Sequence, residues 1–205
     1  MFVFKYPVLD IGYHQYELAS YVPNGISLAE KGLAFYPIHR DYLFHGHSQL
    51  FPITLAISYK IFGIKPFSTH LVPLIYSIIG LYYTFLCGKF LASKGKTDGL
   101  EAKTSDASEK DITSSITLTL PEMIGLSAAL LLFFSPLYFA QSGIANMDLA
   151  LSAMTIATYY YYLRRKWIGY VIASSIMVLI KEPGTIIIPI LLFDYLFQKQ
   201  KKTIK

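Results

Sequence analysis

The sequence holds one cysteine, Cys87, and one tryptophan, Trp167, and its charged residues amount to only 15%. A lone cysteine excludes an internal disulfide and any CxxC zinc or redox site. An average soluble domain is about one quarter charged, so the deficit argues against a soluble globular domain and more strongly against a disordered one. The signatures of soluble enzymes are missing as well: there is no Walker A loop, no GxGxxG, no GxSxG and no HExxH. The start, Met1 to Pro7, lacks the charged region and apolar core of a signal peptide.

What remains is apolar and aromatic. Hydrophobic residues make up 54%, with 17 Tyr and 14 Phe, and the mean hydropathy is +0.44. The net charge is +5. Those positive charges sit between long apolar runs, which points to a membrane protein with basic loops rather than a nucleic-acid binder.

The reading is an all-α polytopic membrane protein with about five transmembrane helices and external juxtamembrane helices. The expected spans are 66–88, 123–146, 147–163, 167–180 and 183–197. The first two exceed the roughly 20 residues that cross a hydrocarbon core as helix. The last three are short, and Arg, Lys, Tyr and Trp at their ends extend them to the interface. The Tyr159–Tyr162 block reads as an aromatic belt. Residues 49–63, with Pro52 and Lys60, read as a helix lying in the interface.

Five spans place three basic segments on one face: Lys89 to Lys103, Arg164-Arg165-Lys166, and the tail from Lys199. That face is cytoplasmic by the positive-inside rule. The domains are therefore 1–65, an extracytoplasmic loop with juxtamembrane helices; 66–198, the bundle; and 199–205, a basic cytoplasmic tail. Within the bundle, the polar segment 92–120 is expected to be a mobile cytoplasmic loop. An external N-terminal segment with no preceding span leads to the expectation that a first helix is missing and that the chain is a fragment.

Ionisable groups at a membrane face are costly and so are functional candidates. The external face collects Asp10, His45, His47, Asp148, Lys181 and Glu182. Lys and His would offset phosphate charge, and a carboxylate would take a proton from an attacking hydroxyl or amine. Each has a simpler structural reading. Asp10 would cap an amphipathic stretch Tyr13–Val22, Asp148 would cap the third span, and Lys181-Glu182 would form an interfacial loop. Two histidines without further near ligands are a weak metal signal.

The order of these features resembles the N-terminal part of the GT-C membrane glycosyltransferases, in the protein mannosyltransferase-like and aminoarabinose transferase-like group. Four pieces carry the likeness: Asp10 with Tyr13; His47-Ser48-Gln49-Leu50 leading to Ile61-Phe62-Gly63; Ser135-Pro136-Leu137 through Asn146-Met147-Asp148; and Leu179-Ile180-Lys181-Glu182-Pro183-Gly184. The resemblance implies a membrane enzyme moving a sugar from a polyprenyl-phosphate-linked donor to a protein, lipid or glycan acceptor on the extracytoplasmic side. It implies Asp10 as the catalytic base. It implies Tyr13, His47, Asp148, Lys181 and Glu182 as substrate-binding residues, with His47 and Lys181 on the phosphate. It implies no metal ligand and no fixed cofactor, leaving a divalent cation open. A second polypeptide would supply the missing helices. The sequence departs from the group where Ile11, not Glu, follows Asp10, and in the length of the 92–120 segment. Two other readings compete. One is a non-catalytic membrane subunit or remnant of the fold. The other is a small transporter component, which would place its ionisable groups at the bilayer midplane instead of the rim.

Overall fold

The computed structural model describes residue 5, residues 9–13, residue 17, and residues 21–33, 48–99 and 118–203, with side chains omitted for 96–99 and 199–203. Among the described residues all regular structure is helical and no strand is present. The helices are α1 (Tyr21–Lys31), α2 (Leu50–Phe62), α3 (Pro66–Gly99), α4 (Leu120–Phe133), α5 (Pro136–Gln141), α6 (Met147–Leu163) and α7 (Trp167–Ile180). A 3₁₀ turn, Glu182–Ile186, then leads into α8 (Ile187–Thr203). His47 and His45 lie outside the described residues, as does 100–117.

α3 is the long central helix. Its segment Pro66–Gly95 is, among the described residues, the one helix long and apolar enough by itself to cross a membrane. α2, α4 and α7 are shorter apolar helices. The core forms where α2, α3, α6 and α7 meet, around Phe51, Leu55, Tyr76, Met154 and Met177. Ala150, Ala153 and Ala157 are fully buried in it. They recur at helical spacing on α6, and such small side chains let helices approach closely.

Glycine does the same between α3 and α4. A Cβ on Gly125 would come within 2.6 Å of the Phe85 carbonyl, and one on Gly88 within 2.9 Å of the Gly125 Cα. The two backbones touch at a point where no side chain fits. Tyr138 of α5 seats its hydroxyl against Gly80 and donates to the Ser77 carbonyl at 2.7 Å. Side chains that would normally be hidden line the outside: Ile168 is 80% exposed and Leu131 76%, with Phe134, Leu137, Phe193 and Phe197 beside them in kind. Large apolar patches of this sort mark a surface that meets lipid or another protein.

Four sequence expectations need correction. The expected loop 92–120 is helical from its start to Gly99, and α4 begins at Leu120. The expected span 123–146 is not continuous. Its helix stops at Phe133, because Pro136 pushes Ser135 into an extended conformation and opens the new helix α5. The span 183–197 starts with the 3₁₀ turn, where Pro183 takes an early helical position, and its helix runs on to Thr203. The segments 147–163 and 167–180 are helical over the expected bounds, as α6 and α7. The fourth correction concerns capping. Asn146, not Asp148, caps α6, its side chain accepting from the Asp148 amide at 3.0 Å. Tyr13 is non-helical, so Asp10 does not open a helix there.

Candidate functional site at one end of the bundle

The direction of each helix sorts the polar groups by end. α3 starts, α4–α5 finishes, α6 starts and α7 finishes at one end. Residues 9–13, Glu17, Ser48 and the turn 142–146 gather there. The opposite end holds Lys89 with Glu122 at 2.7 Å, Arg164 over Phe90, and Arg165 with Gln198. Arg165 has a positive φ of 54°, the left-handed turn conformation that joins α6 to α7, and its guanidinium lies 5.0 Å from the Tyr195 ring centre.

At the first end, Lys181 and Asp148 meet. The Lys181 ammonium lies 2.5 Å from Asp148 Oδ1. Asp148 is in the first turn of α6 and Lys181 follows the last residue of α7. Glu182, one residue on, turns the other way: its Oε1 accepts from the Ser48 amide at 2.8 Å and from the Ser48 hydroxyl at 3.3 Å. The Ser48 hydroxyl also lies 3.3 Å from the Val178 carbonyl. The segment preceding α2, next in sequence to His47, is thus fastened to the end of α7.

A second cluster was not anticipated from the sequence. Glu17, fully buried, and His70, in the first turns of α3, stand 3.2 Å apart. The second ring nitrogen, Nδ1 of His70, donates to the Leu9 carbonyl at 2.9 Å. A carbonyl only accepts, so Nδ1 carries a hydrogen, and the contact between Nε2 and Glu17 then needs one further proton shared by the pair. The other Glu17 oxygen accepts from the Ala145 amide. Asp10 follows Leu9 in an exposed turn and is close enough for its charge to act on His70. Tyr13 presents an edge to the His70 ring, with centroids 6.5 Å apart.

The turn 145–148 joins the clusters. Ala145 is held by Glu17, Asn146 caps α6, and Asp148 takes Lys181. Asp10, Tyr13, Asp148, Lys181 and Glu182 therefore lie at one end of the bundle. Among the described residues, no hydrogen bond or ion pair joins Asp10 to the Asp148–Lys181 pair. Nor does any group of three His, Cys, Asp or Glu among them stand together as metal ligands would.

Sequence reasoning missed Glu17 and His70. His70 sits inside an apolar run selected for lacking Asp, Glu, Lys and Arg. An ionisable histidine within such a run was itself the signal.

Beside this end runs an apolar groove of about 520 Å³ between α2, α3, α6 and α7. Ile57, Leu71, Ile75, Ile79 and Ile176 line it, with Thr54, Ser58, Tyr76 and Tyr83 as its polar edges. Comparison with protein families, with curated proteins and with solved structures finds no match to this chain.

Proposed function

We propose that the chain is a multi-pass membrane protein and forms part of a glycosyltransferase that uses a polyprenyl-phosphate-linked sugar on the extracytoplasmic side. The observation that carries the reading is the joint made by residues 145–148. It holds the Asp148–Lys181 pair and the Leu9-Asp10 turn at one end of an apolar bundle.

In this reading Asp10 is the exposed carboxylate that takes the acceptor's proton. Lys181 keeps two further N–H donors beyond Asp148 for the donor phosphate. Tyr13, His47, Asp148 and Glu182 shape the substrate site, and a divalent cation assisting the phosphate remains compatible with it. The 520 Å³ groove gives an apolar chain a place beside this end. The bundle reading is supported by the exposed apolar surface and by the gathering of Lys89, Lys94, Arg164, Arg165 and Lys166 toward the opposite end, as the positive-inside rule asks.

A second reading is a non-catalytic membrane subunit. It is favoured by one feature: Asp148 and Lys181 already neutralise each other. The test is transfer from a radiolabelled polyprenyl-phosphate sugar by the chain reconstituted in vesicles, alone and with the membrane fraction of its source. Transfer that is abolished in Asp10→Asn, with membrane insertion unchanged, is the expected result. Full transfer in that variant removes Asp10 from the site, and no transfer under either condition favours the subunit.

A further inference from the structure

Lys5 is 6% exposed, yet its ammonium lies 3.9 Å above the centre of the Phe139 ring. Among the described residues no carboxylate, hydroxyl or carbonyl forms a hydrogen bond or ion pair with it. Burial pulls the amine below its ordinary range. A buried cation ordinarily has an anionic partner, because losing its hydration is costly. One aromatic ring offsets only part of that cost. Among the described residues the cation is therefore short of an anion.

Its surroundings say what sort. Lys5 Nζ is 3.3 Å from where a Cβ would stand on Gly143, just beyond the end of α5. The carbonyls at that helix end favour a cation, which fixes the ammonium at the bundle end. Phe139 also lines a separate apolar cavity of about 340 Å³, with Phe133, Phe134 and Pro136. The rings of Phe133 and Phe139 stand edge to face, 6.0 Å apart, so the wall is continuous with the ring under Lys5. The cavity is walled by the end of α4 and by Pro136 and Phe139, within the first four residues of α5. A cation seated on a ring that also walls an apolar cavity matches an amphiphile with an anionic head and an apolar chain.

We propose that Lys5 and the Phe133–Phe134–Pro136–Phe139 cavity form a binding site for an anionic phospholipid, its phosphate on the Lys5 ammonium and an acyl chain in the cavity. The site rests on the membrane reading but not on sugar transfer.

The test uses the full chain in neutral detergent, after carbonate-washed membranes have been shown to retain it. That first step tests the membrane reading by itself. Thermal unfolding is then followed with added phosphatidylglycerol, with phosphatidylcholine of the same chains, and with inorganic phosphate alone. Phosphatidylglycerol raises the melting temperature and the other two do not. Lys5→Arg keeps the effect, while Lys5→Met weakens apparent lipid affinity about tenfold. Should Lys5→Met fail to fold, Phe134→Ser serves instead. Phe134 is 72% exposed, so its loss leaves the packing intact while opening the cavity. Weaker phosphatidylglycerol binding in Phe134→Ser supports the site. An equal shift with phosphatidylcholine or with phosphate alone, or an undiminished shift in Lys5→Met or Phe134→Ser, overturns it.

Discussion

The Lys181 ammonium lies 2.5 Å from the Asp148 carboxylate and ties the start of α6 to the end of α7. The two side chains are 23% and 49% exposed. Solvent screens such a pair, and exposed ion pairs contribute about 0.2–1 kcal/mol. A double-mutant cycle of Lys181→Met and Asp148→Asn, read by unfolding in detergent, is expected to give a coupling energy below about 1 kcal/mol. Under the proposed transferase reading, by contrast, transfer is lost in Lys181→Met. Unchanged transfer would confine the pair to the architecture.

Glu17 presents the opposite case. It is fully buried and serves both His70 and the Ala145 amide. Glu17→Ala leaves both unpaired in an apolar setting and should cost about 3–5 kcal/mol. Glu17→Gln keeps an acceptor oxygen for Ala145 and should cost less. Melting temperatures of the two variants in detergent check the order; equal losses would mean that the amide contact contributes nothing.

At the crossing of α3 and α4, Gly125→Val places atoms where the Phe85 carbonyl already stands. The expected loss is about 1–3 kcal/mol. Gly95→Ala is the control, since nothing lies within 4 Å of its Cβ position. It should be neutral or slightly stabilising because it sits within a helix.

Glu122 is held down to about 2 from its ordinary 4.5, chiefly by the Lys89 ammonium and then by the Thr119 amide and hydroxyl. A depressed carboxylate contributes stability that is present above its unfolded value and lost as pH falls through its folded value. The melting temperature should therefore decline between about 4.5 and about 2 by an amount that Glu122→Gln removes. The effect is small, because the side chain is in water's reach. Identical pH profiles for wild type and Glu122→Gln would show that the contact contributes no stability.

Periodicity and run length located the helices where the chain is uninterrupted. α6 and α7 fall on their expected bounds, and α2 lies within 49–63. They failed where a local rule competes with hydropathy. Phe133 to Tyr138 reads as one apolar run, but Pro136 denies the preceding residue its helical conformation and breaks the span. The polar Ser93 to Gly99 stretch reads as loop, yet it extends α3 without a break. At the site, Asp148 and Lys181 were legible as charges bounding apolar segments. Their contact was not, since it depends on α6 and α7 packing antiparallel. His70 was passed over because a count of full charges omits histidine, and Glu17 because its partner lies 53 positions away in sequence. The Gly88–Gly125 crossing was hidden for a similar reason, because glycine carries no hydropathy signal of its own.

The grip of Glu17 on the Ala145 amide spans 128 positions of sequence. A ribosome adding roughly 5–20 residues per second leaves an interval on the order of 10 s between the two. For that time the carboxylate lacks the Ala145 amide. Glu17 thus completes its contacts only once the chain has been made as far as the turn before α6, so a segment near the start of the sequence is held by one near its middle.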